Sequence, residues 1–131
     1  MVERVRMTAA AAELLHRLQL RHGPLMFHQS GGCCDGSAPM CYLAGEFLIG
    51  DRDVLLGMLD EAPFWISGPQ FTAWQHTQLV IDVVPGRGSG FSVEAPEGVR
   101  FLSRGRAFSS VELAQLESAP LIRGANYASG S

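Results

Sequence analysis

The stretch QLVIDVVPGRGSGFSVEAPEGVRFLS, from Gln78 to Ser103, decides the fold class of this chain. QLVIDVV (Gln78 to Val84) is an apolar run of strand length in which Asp82 shares a solvated face with Val80 and Val84. PGRGSG follows, and a glycine-rich turn after a strand suits a phosphate only if a helix begins next. No helix is predicted there. FSVEAP alternates and contains Pro96, so the pattern predicts a strand, a turn at Glu97-Gly98, and a returning strand VRFLS (Val99 to Ser103). The segment is therefore a flexible hairpin and not a dinucleotide fingerprint. Ser89 is misplaced for a nucleophile elbow. Asp82, Glu94 and Glu97 form no acid–base pair, which leaves a hydrolase reading without support.

Working outward, TAAAAELLHRLQLRH (residues 8 to 22) predicts a helix with Thr8 as N-cap, an apolar stripe of Leu14, Leu15 and Leu18, and a stop at Gly23-Pro24. LMFHQ (Leu25 to Gln29) alternates, with Leu25, Phe27 and Gln29 on one face and Met26 and His28 on the other. CYLAGEFLIG (Cys41 to Gly50), DVLLGML (Asp53 to Leu59) and FWIS (Phe64 to Ser67) read as strands. Ser67, Pro69 and Gln70 open a short helix that ends near His76, where Trp65, Phe71 and Trp74 read as core. A last helix starts at Ser109 or Ser110, with Glu112 completing a capping box, and runs to Ser118. The expected fold is α+β and mainly β, a small sandwich-like sheet with a leading helix and one short inserted helix. Short turns between strands argue against parallel crossover units. Residues 1–131 read as a single domain, with a core over about 8–118 and a loose tail at 119–131.

Composition narrows the function classes. The chain has 131 residues, of which 47% are hydrophobic, so a core can form. Net charge is −3 and all ten basic residues are arginine, which argues against nucleic acid as a partner. The alanine run is broken by Glu13, His16 and Arg17, so neither a membrane span nor an export signal is predicted. A cytoplasmic location is the resulting expectation. Thiols stay reduced there, so the three cysteines read as ligands, redox groups or core filling.

All three lie in HQSGGCCDGSAPMC, His28 to Cys41. Thiolate and imidazole ligands suit iron or zinc, and Cys33, Cys34, Cys41 and His28 supply both, with His76 as a further candidate. Paired glycines before Cys33 let the backbone turn sharply. The spacing Cys-Cys-x6-Cys is not a zinc knuckle, and the competing reading is a set of buried thiols around a glycine turn. His28 also reads as a hydrogen-bonded strand histidine, and His76 as a complement to a helix dipole.

HGPLMFHQSGGCCDGSAPMCY and QHTQLVIDVVPGRGSGFSVEAPEGVRFL, in that order, closely resemble the bacterial domain-of-unknown-function family numbered 779, over roughly residues 9 to 106. The resemblance implies a setting in aldehyde or alcohol oxidation, since genes of that family often stand beside aldehyde dehydrogenase genes, and it implies that enzyme as a partner. A second resemblance is to the A-type iron–sulfur carriers with the HesB-like fold. It rests on the leading helix, the strand, the Ser-Gly-Gly-Cys turn and the glycine before FSVEAP. It implies that Cys33 takes the role of the first cluster ligand. The C-terminal cysteine pair of those carriers is missing here, since no cysteine follows Cys41, and this departure counts against an iron–sulfur cluster.

The reading is a small metal-binding accessory protein of aldehyde or alcohol oxidation, holding iron or zinc in a Cys/His loop. The alternatives are a thiol-dependent enzyme using Cys33 or Cys34 on an aldehyde or small thiol, and a structural partner with no site. The sequence is also compatible with a homodimer.

Overall fold

A computed structural model of the chain describes residues 3–29, 39–47, 49–86, 92–119 and 121–124. Along them run β1 (Val5–Met7), α1 (Ala9–His22), β2 (Leu25–Gln29), β3 (Met40–Leu43), β4 (Val54–Leu59) and β5 (Ala62–Ile66). Then come α2 (Gly68–Trp74), β6 (Thr77–Pro85), a 3-10 turn (Ala95–Glu97), β7 (Val99–Ala107), α3 (Ser110–Glu117) and β8 (Ile122–Arg123). The fold is α+β and mainly β, as the sequence predicts.

The strands form two mixed sheets, β1-β6-β7 and β3-β2-β5-β4-β8. Alternation along β2 sets their relation. Phe27 is fully buried, stacks on Phe64 of β5 at 5.5 Å, and meets the edge of Phe101 of β7 at 5.1 Å. Gln29, two residues on and on the same face, accepts the Ser103 hydroxyl of β7 at 2.8 Å. That face therefore looks into the gap between the sheets. Leu14, Leu15 and Leu18 of α1 complete the core.

Thr8 caps α1 as expected, accepting the Ala11 N–H at 3.2 Å. Its hydroxyl also donates to Asp82 at 2.9 Å, which pins the helix start to β6. The Ser109–Glu112 capping box of α3 is present.

Several expectations need correction. The strand expected over FSVEAP does not form over its described residues: Ser92 to Glu94 turn into the 3-10 turn, and Gly98 adopts a left-handed φ of 75° before β7. The strand after Cys41 stops at Leu43, because Gly45 turns the chain at φ 91°. Ser67 caps α2 without a side-chain bond. Ile122–Arg123 pairs with β4, so the stretch assigned to a loose tail contributes a strand. Val5, ahead of the expected core, is 2% exposed. Two pairings are parallel, β1 with β6 and β2 with β5, because long excursions separate those strands in sequence. Local turn chemistry does not report such pairings.

The turn before β7 is locked by a buried carboxylate. Glu94, 1% exposed, accepts the Phe101 N–H at 3.1 Å and a short hydrogen bond from the Ser92 hydroxyl. Ser92 Oγ in turn accepts the Cys41 N–H at 2.9 Å, and the Cys41 carbonyl accepts the Val93 N–H at 2.9 Å. Glu94 thus ties β3 to β7. Replacing it by alanine leaves buried donors unpaired, and each costs about 1–3 kcal/mol. Chemical denaturation of Glu94→Ala should show a loss of about 2–4 kcal/mol. A loss below about 0.5 kcal/mol, the range of a neutral surface change, would contradict the lock.

Candidate functional site

The face of β2 opposite Phe27 carries His28, and register builds its surroundings. His28 lies opposite Met40 of β3 and Trp65 of β5. It is 3% exposed. Its Nε2 stands 3.0 Å from Asp53 Oδ2, and the same oxygen accepts the Gly50 N–H at 2.9 Å. The Gly50–Asp53 turn closes with the Asp53 N–H donating to the Gly50 carbonyl at 3.1 Å, which delivers the carboxylate beside β2. Phe47 lies tilted against the imidazole at 4.3 Å and stacks on Tyr42 at 4.9 Å.

A neutral imidazole that donates Nε2–H to a carboxylate carries its lone pair on Nδ1. The partner orients the ring. This is the arrangement of a metal-ligating histidine with its supporting carboxylate, and equally of a histidine that takes a proton from a thiol. Asp53 was not legible as a site residue. It opens a predicted strand, and its bond to His28 spans 25 residues. Tyr42 and Phe47 likewise give no local signal.

Cys41 is placed differently. It pairs with Phe27, so it shares Phe27's inward face and is fully buried. Directly opposed residues of an antiparallel pair point the same way, which turns Cys41 and His28 to opposite faces of the sheet. Burial first, and the Glu94 carboxylate second, push the Cys41 thiol well above its ordinary range. It is kept as a protonated core thiol, poorly suited to be a ligand beside His28. His76 is exposed in the turn after α2, where its carbonyl accepts the Phe108 N–H at 3.1 Å. The structure does not bring the two to His28.

Cys33 and Cys34 lie outside the described residues. The connection that carries them leaves β2 at Gln29 and returns at Pro39, directly after His28 and directly before its register partner Met40. Among the described residues no group of three or more His, Cys, Asp or Glu side chains could hold a metal ion.

The placement of Cys41 yields a direct check. In a Cys33→Ser/Cys34→Ser variant the remaining thiol should react with Ellman's reagent on the order of a hundredfold more slowly in the native protein than in denaturant. Comparable rates would show that Cys41 is not sealed in the core.

No helix among the described residues is long and apolar enough to cross a membrane. Comparison with curated proteins and with solved structures returned no match. The profile described as "Domain of unknown function (DUF779)" matches residues 14–107, which run from within α1 to the end of β7 and include His28, Asp53 and Glu94. The chain belongs to the DUF779 family.

Proposed function

We propose that the protein is a small metal-binding accessory factor, with iron or zinc held by His28 together with Cys33 and Cys34. The observation that carries this reading is the pairing of the buried His28 with the half-buried Asp53 carboxylate. A carboxylate at 3.0 Å orients the imidazole at the mouth of the segment that bears two adjacent cysteines. The donor set of soft thiolates and an oriented imidazole fits either metal. When bound, the ion would supply Lewis acidity or a redox centre. The chain's own part is to fix His28 through Asp53 and keep Cys41 out of the set.

The glycines before Cys33 and the resemblance to A-type carriers favour Cys33 as the leading thiol ligand. The family resemblance favours an aldehyde dehydrogenase of the cytosol as the partner.

The same pair favours a second reading, in which His28 takes the proton of Cys33 or Cys34 and the thiolate adds to an aldehyde carbonyl carbon. The C=O π pair moves to oxygen, and that oxygen takes the proton back from His28 as a hemithioacetal forms. Metal content separates the two.

Protein purified without immobilised nickel should contain about one equivalent of iron or zinc, released at low pH as the thiolates protonate. Cys33→Ser and His28→Gln should lose the metal while staying folded, and Cys41→Ser should keep it. Less than about a tenth of an equivalent after loading, against the single site expected, would overturn the metal reading. Fast alkylation of Cys33 or Cys34 in that metal-free protein would favour the thiol enzyme.

A further inference from the structure

The outer face of the β1-β6-β7 sheet concentrates positive charge on a chain whose net charge is −3. Inward residues Leu79, Ile81, Phe101 and Ser103 alternate with outward ones, and register places Arg6 of β1 and Arg104 of β7 on either side of Val80. Arg106 stands opposite Gln78, and Arg100 opposite Val84. Four of the ten arginines therefore share one sheet face.

Two of them already hold carboxylates of this chain. Arg104 Nε donates to Asp82 at 3.1 Å, and Arg106 donates to Glu112 at 2.8 Å. Glu112 is held down to about 2, first by that bond from Arg106 and then by the Ser109 N–H. Arg6 and Arg100 have no carboxylate partner among the described residues, and Arg6 is exposed. Arg6 and Arg104 are two strand spacings apart, roughly 10 Å, with the aliphatic surface of Val80 between them.

We infer that this face, with Arg6 and Arg100 as its open cations, is a docking surface for an acidic polypeptide segment of a partner protein. Charge complementarity selects an anion, and the planar fork of arginine suits carboxylates in pairs. Asp82 and Glu112 on the same face disfavour the evenly charged backbone of a nucleic acid. The half-buried Val80 and Val84 offer aliphatic ground for peptide side chains, not the aromatic platforms on which bases stack. This inference stands apart from the metal reading.

The test uses the full chain and a fluorescein-labelled peptide of about ten residues alternating Glu and Val, followed by anisotropy. Saturable binding is expected at about 20 mM salt, weakening strongly by about 300 mM. Arg6→Gln/Arg100→Gln should weaken it about fivefold or more, as the loss of two exposed charge pairs implies, with the thermal midpoint unchanged. Arg17→Gln/Arg21→Gln, an equal change in net charge on α1, should leave binding intact. No binding at low salt, an equal loss in both double variants, or tighter binding of single-stranded DNA or phosphatidylserine vesicles than of the peptide would each overturn the assignment.

Discussion

Phe27 is the residue on which the two sheets meet. Its ring contacts Phe64 within its own sheet and Phe101 across the gap, and it is fully buried. A buried phenylalanine is worth about 3–5 kcal/mol against alanine, a large share of the 5–15 kcal/mol or so that holds a domain together. More follows from its direction than from its energy. With Phe27 fixed inward, the pleat of β2 turns Gln29 inward and His28 outward, and the pairing with β3 carries Cys41 inward as well.

That single alternation sorts the polar chemistry at this end of the sandwich. On the inner side, Gln29 is bonded to Ser103, while Glu94 holds Ser92 and the Phe101 backbone. These are satisfied groups that join strands, and burial near Glu94 keeps the Cys41 thiol protonated. On the outer side, Asp53 orients His28, Phe47 lies against the ring and Tyr42 stacks on Phe47. One side is framework. The other has the makings of a reactive site.

Much of the fold was legible in the sequence because its signals are local. The Thr8 cap, the leucine stripe of α1, the alternation of LMFHQ and the Ser109–Glu112 box each depend on neighbours within a turn or a strand. The misses share a cause. FSVEAP alternates like a strand, yet Glu94 is drawn inward by Phe101 and Ser92, and Pro96 lies within a 3-10 turn. The Ile122–Arg123 strand exists only through β4. At the candidate site the sequence pointed to His28 but not to Asp53, whose role depends on the Gly50 turn and on long-range sheet pairing. It grouped Cys41 with the other thiols by proximity along the chain, whereas register turns it away from His28.

The two faces of β2 part His28 from Cys41, His28 turning to Asp53 and Cys41 into the core, so the proposed site draws its thiolates from Cys33 and Cys34 alone. X-ray absorption at the zinc edge of zinc-loaded protein tests this most directly, because it counts sulfur and imidazole neighbours separately. The division predicts about two sulfurs near 2.3 Å with at least one imidazole nitrogen near 2.0 Å. A third thiolate sulfur, which only Cys41 could supply within one chain, or a shell without imidazole, would contradict it.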